Sequence, residues 1–189
     1  KNPDCDYIVT TERILKADFP IIYISMALPE REMQKIKEGI KEIQVNHLLE
    51  LNILEAIILP IEEKNMESAV KAMVQPLLEE DFVTVLEREE MSSTSLNHIA
   101  LPHGNPAMVQ NTRLVIGRMN HPILWDDSKV SCAFLFAVSS EMLKEKPMLF
   151  NTFYRTMADP EVEESIKKLQ MEKNLPDEVF RQKLFQILR

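Results

Sequence analysis

Residues 130–138 read VSCAFLFAV, and this run decides the architecture. From Cys132 to Ala137 the apolar side chains occupy both parities of a strand, so neither face is offered to water. Such a strand lies mid-sheet, covered on both sides. The stretch 114–119, LVIGRM, reads as a second strand of the same sheet. Helical patterns are interspersed with these strands. The expected fold is therefore an α/β sandwich, a mixed sheet with helices on both faces.

The helical pieces are punctuated by their own signals. Pro147 opens a helix whose Leu149, Phe150, Phe153, Tyr154 and Met157 point inward. Asp159 and Pro160 supply the N-cap and first position of the next helix, with Val162, Ile166 and Leu169 apolar and Glu163 to Lys167 a supporting pair. A last helix follows Asp177. Upstream, Asn65 is an N-cap for a helix with Ala69, Val70, Met73 and Leu77 on one face, shortened by Pro76. Residues 48–61 are almost continuously apolar, and periodicity leaves strand and buried helix both open there.

Before them, Tyr7 to Thr11 and Ile21 to Ser25 are strand-like, and a helix from Pro29 carries Met33, Ile36, Ile40 and Ile43 on one stripe. A strand, strand, helix unit of this size buries its own core poorly. The division is thus a small N-terminal α/β fragment, 1–45, and a main domain, 46–189. Exposed apolar surface on the fragment suggests homodimerisation. The chain opens on Lys1 and runs at once into a strand, which reads as a piece of a longer polypeptide.

Composition removes several functions. The formal charge is −8, with 22 basic residues scattered among 30 acidic ones. Phosphate backbones need clustered Lys and Arg, so no direct nucleic-acid contact is expected. Cys5 and Cys132 are too few and too far apart for a disulfide framework, which points to a reducing compartment. No apolar run reaches the roughly 18 residues of a membrane span and no signal peptide pattern opens the chain. A cytoplasmic protein with no membrane contact is expected. With three glycines, Gly39, Gly104 and Gly117, there is no glycine-rich nucleotide loop, and the histidine spacing fits no zinc signature. Neither a cofactor nor a metal is expected.

The unusual stretch is 86–104, LEREEMSSTSLNHIALPHG. Pro102 and Gly104 keep His103 out of regular structure and bare its imidazole at a loop. A neutral ring nitrogen so placed can attack a phosphoryl group if the other nitrogen is held. Arg88 suits phosphoryl oxygens through its planar, permanently charged fork, and Thr94 offers a neutral donor. Spacing alone leaves a second reading open, with His103 a turn residue and Arg88, Glu89 and Glu90 a solvated helix end.

The pairs Arg88-Glu89 and Ser93-Thr94, followed by the run Ile99-Ala100-Leu101-Pro102-His103-Gly104, resemble the active-site signature of the fructose/mannitol-type enzyme IIA of the sugar phosphotransferase system. Pro122 to Trp125, Val130 to Val138 and Leu149 to Glu161 resemble that family's hairpin, central strand and later helix and loop. The resemblance implies that His103 accepts a phosphoryl group from a phosphocarrier protein and passes it to an enzyme IIB. Lys146 stands where transport members of the family carry a second histidine, and it keeps a positive charge there. His98 stands where the family tends to have glycine. Residues Asp6 to Thr11 and Ile21 to Ser25 resemble the later strands of a galactitol-type enzyme IIB.

A IIB-like segment followed by a IIA-like domain is the arrangement of transcriptional activators and antiterminators controlled by the phosphotransferase system. The resemblance thus implies a regulatory phosphoacceptor joined to upstream regulatory and DNA- or RNA-binding domains. Its alternatives are a transport enzyme IIA relaying phosphate to enzyme IIB during sugar uptake, and a degenerate IIA-like partner-binding module.

Overall fold

The computed structural model of the chain describes residues 7–13, 19–24, 30–77, 82–91, 94–172 and 174–188. The expectations placed on Cys5, Asp6, Ser25, Pro29 and Ser93 lie outside these residues. The chain divides into two compact units, Lys1–His47 and Leu48–Arg189.

In the first unit β1 (Ile8–Thr10) and β2 (Ile21–Tyr23) form a parallel pair. Helix α1 (Glu30–Leu54) begins in this unit and ends in the second. Gly39 brings the helix onto β2 closely enough that an added Cβ would meet Ile22 at 3.2 Å. Of the expected stripe, Ile36, Ile40 and Ile43 are half-buried and Met33 is exposed.

The ambiguity over residues 48–61 resolves into both readings. Helix α1 runs to Leu54, and after a turn β3 (Ile57–Ile61) begins. Asn65 then caps α2 (Met66–Val74) by accepting the Ser68 N–H at 2.9 Å. Pro76 ends it in a 3-10 turn over Gln75–Leu77. Helix α3 (Phe82–Met91) and a hairpin of β4 (Ser95–Leu96) and β5 (Ile99–Ala100) follow. The long strands β6 (Arg113–Trp125) and β7 (Ser128–Ala137) turn at Asp126, whose φ is 51°. Four helices close the chain: α4 (Ser140–Glu145), α5 (Leu149–Met157), α6 (Pro160–Met171) and α7 (Asp177–Ile187).

The sheet order is β3-β6-β7-β5-β4, so the apolar run around Phe134 is the middle strand, as expected. Strand β6 is parallel to β3 and antiparallel to β7, while β5 is parallel to β7, which makes the sheet mixed. Side chains alternate between faces. On one face Val115, Ala133 and Leu135 pack with Ala69, Val70 and Met73 of α2 and Val85 of α3. On the other Phe136 meets Phe153 of α5, ring centroids 4.8 Å apart, and Arg118 lies 4.3 Å over the Phe180 ring of α7.

Two local expectations are corrected. Tyr154 does not face inward but is 38% exposed, because Leu149, Phe153 and Met157 already fill the buried side of α5. Glu163 does not support Lys167. It reaches across to the β4–β5 turn, accepting from Asn97 Nδ2 at 3.0 Å and the His98 N–H at 3.2 Å, while Lys167 pairs with Glu164 at 3.5 Å. Between β7 and Pro147, α4 is capped by Ser139, whose Oγ accepts the Met142 N–H. Asp159 performs its expected capping, accepting from the Glu161 and Val162 N–H groups, a contact of about 1 kcal/mol.

Candidate phosphoacceptor site

Strand β5 carries the chain out of the sheet at Leu101, whose N–H still bonds Thr94 O at 3.2 Å. Residues 101–105 then have no regular structure, and His103 emerges there beside α5 and α3. Its ring centroid is 5.2 Å from that of Phe150. The histidine is therefore half-buried rather than bared, because the first turn of α5 covers one side of the loop. A cleft of about 260 Å³ opens at this point, lined by Arg88, His103, Gly104, Phe136, Phe150 and Asn151 among others.

The ring's Nδ1 lies 3.4 Å from Leu101 O. A carbonyl can only accept, so the contact favours the tautomer with the proton on Nδ1 and leaves the Nε2 lone pair unprotonated. Burial first, and the Arg88 charge second, push the His103 pKa below 6.5, so the neutral ring dominates at pH 7. Arg88 itself is exposed at the end of α3 and makes no ion pair among the described residues.

Glu89 is where the solvated-helix-end reading fails. It is 3% exposed, and its carboxylate accepts three bonds: Thr94 Oγ1 at 2.7 Å, Thr94 N–H at 3.3 Å and Trp125 Nε1 at 3.0 Å. Successive helix positions differ by about 100° in direction, so fixing Glu89 inward turns Arg88 toward the cleft. Thr94 was expected to donate to a ligand, but its hydroxyl proton is directed at Glu89. Lys146 is half-buried at the end of α4, where its N–H bonds Met142 O at 2.8 Å, directly before Pro147 in the cleft wall. Phe150 and Asn151 join the site without any signal in the sequence beyond their place on an amphipathic helix. Among the described residues no group of three His, Cys, Asp or Glu side chains is placed to hold a metal ion.

The arrangement suits nucleophilic attack by a neutral imidazole on a group whose negative charge Arg88 can meet. Residues 50–181 match the model of the family described as phosphoenolpyruvate-dependent sugar phosphotransferase system, EIIA 2. The chain belongs to that family. Within this IIA domain lie Arg88, Thr94, His103 and Lys146. The chain is also 23% identical over 190 aligned positions to the transcriptional regulator ManR of Bacillus subtilis (strain 168), an alignment covering 93% of this chain. It spans only 29% of that regulator's length.

Two solved IIA proteins share the fold. The nitrogen regulatory protein IIA-Ntr of Neisseria meningitidis has a TM-score of 0.55 and 18% identity, covering 75% of this chain and 99% of its own. The mannitol IIA of Escherichia coli has a TM-score of 0.52 and 19% identity, covering 70% and 95%. No helix among the described residues is long and apolar enough to cross a membrane.

Proposed function

We propose that this chain is the regulatory phosphoacceptor portion of a transcriptional regulator controlled by the phosphotransferase system. The observation that carries the reading is the pairing of a neutral, tautomer-held His103 with an uncommitted Arg88 in one cleft. Nε2 attacks phosphorus as the donor's bond to phosphorus breaks and its electron pair returns to the donor. The resulting anionic group is held by Arg88, with Lys146 adding charge nearby and Thr94 acting through Glu89. The donor or acceptor is a phosphocarrier protein or an enzyme IIB.

Residues 1–45 are the end of a IIB-like domain and 46–189 the IIA-like domain. The alignment with ManR runs through both portions, which supports their belonging to one regulator polypeptide. Upstream regulatory and nucleic-acid-binding domains of the same cytoplasmic polypeptide read the added charge through altered domain contacts.

The test is intact mass and acid lability after incubation with phosphoenolpyruvate, enzyme I and the phosphocarrier, comparing wild type with His103→Ala. One acid-labile phosphate, absent from the variant, is expected. Phosphate on neither protein, or equally on both, overturns the assignment. Rapid onward transfer to an enzyme IIB would favour the transport relay instead.

A further inference from the structure

Between Arg118 and Ile123 the β6–β7 ladder slips: Arg118 pairs with Cys132 and Ile123 with Val130, so Met119 to Pro122 stand opposite Ser131 alone. Such an irregularity splays the strands and re-aims side chains. Helix α6 bridges the splayed region, with Gln170 Nε2 donating to Met119 O at 3.3 Å. A cleft of about 350 Å³ remains beneath the helix, within the range of small-ligand sites.

Its lining brings together three basic side chains from three elements: His98 of the β4–β5 turn, Lys129 of β7 and Lys167 of α6. Ser131 lines it too, its hydroxyl donating to His98 O at 3.3 Å, and Met119, Pro122 and Met171 supply apolar wall. Lys167 lies one helical turn before Gln170, so the Gln170 bond to Met119 holds that part of α6 over the cleft. Among the described residues no Asp or Glu lines this cleft, in a chain whose formal charge is −8.

Two of the three carboxylates in the adjoining groove are engaged. Glu164 pairs with Lys167 at 3.5 Å across exposed surface, a contact of about 0–1 kcal/mol that a bound anion can displace. Glu163 is occupied by Asn97 and the His98 backbone. Asp127 lines the adjoining groove with them, and His98 and Lys129 border both the groove and the cleft. Lys129 makes no ion pair, and the His98 ring no hydrogen bond, among the described residues.

We propose that this cleft binds a small organic oxyanion, a phosphate ester or a polycarboxylate, separately from the His103 site. Lys129 and Lys167 meet the anionic group, His98 donates to it, and the methionine and proline wall covers the carbon body.

The experiment is an amide-shift titration of the 189-residue chain with glucose 6-phosphate and, separately, citrate, against sodium chloride at matched ionic strength. Wild type, Arg88→Gln and the double variant K129Q/K167Q are compared, each checked for an unchanged melting profile. Saturable shifts at Lys129, Ser131 and Gln170 are expected with one or both anions. They keep the same midpoint in Arg88→Gln and weaken at least tenfold in the double variant. Which anion saturates the site names the chemical class. Shifts confined to the His103 loop and lost in Arg88→Gln, shifts reproduced by chloride, or equal binding by the double variant would each overturn the proposal.

Discussion

The indole N–H of Trp125 donates to Glu89 Oε2 at 3.0 Å, tying the end of β6 to the last turn of α3 inside the core. The same carboxylate holds Thr94 through two further bonds. Arg88 is the preceding residue on that helix, so its place in the candidate site rests on a contact made inside the core.

Glutamine can reproduce this pattern, its oxygen facing Trp125 and the Thr94 N–H while its NH2 donates to the Thr94 hydroxyl. Leucine leaves the buried Trp125 N–H orphaned at a cost of about 1–3 kcal/mol, and the donors of half-buried Thr94 add less because water can reach them. Glu89→Leu should therefore lose about 2–4 kcal/mol and Glu89→Gln no more than about 1 kcal/mol. Denaturant unfolding followed by the fluorescence of Trp125, the sole tryptophan, measures both. A leucine variant as stable as wild type would show that Glu89 holds nothing.

His103 should make stability depend on pH with a definite sign. Its folded-state pKa lies below 6.5, so through that window the unfolded chain binds more protons than the native one. Stability then rises with pH across the window and is lost as pH falls from 6.5 through the folded pKa. Wild type and His103→Gln should differ by a constant amount above about pH 7.5, with wild type losing ground as the solution is acidified. Because the Arg88 charge is the second cause of the shift, Arg88→Gln should move the His103 titration upward. Imidazole proton shifts read this directly, and an unmoved titration would mean that the two charges do not interact.

Gly117 sits where β6 passes under α2. A Cβ there would meet Met73 Sδ at 2.8 Å and Ile61 Cγ1 at 3.0 Å. Met73 is fully buried and has little room to swing away. Gly117→Ala should cost about 1–3 kcal/mol, measured by thermal or denaturant unfolding. In a Met73→Ala background Gly117→Ala should cost less than it does in wild type, and an equal cost in both would place the strain elsewhere.

The amino-acid sequence determined by itself whatever depends on neighbours along the chain. Asn65 and Asp159 begin their helices because each cap bonds amides two or three residues on. The Phe134 strand is central because its apolar residues occupy both parities. His103 stood out because Pro102 and Gly104 flank it. Periodicity did not separate helix from strand over 48–61, where both occur, nor did it reveal α4 or the short β4–β5 hairpin. Tertiary structure alone decided that Glu89 is buried, since its partner Trp125 lies 36 residues away, and that Glu163 serves the β4–β5 turn rather than Lys167. It likewise decided that α5 half-covers His103 and that the slipped β6–β7 ladder gathers His98, Lys129 and Lys167. The physical reason is the same in each case: a charged side chain's partners are chosen by packing across the sheet, and no local pattern records which distant residue packing brings to it.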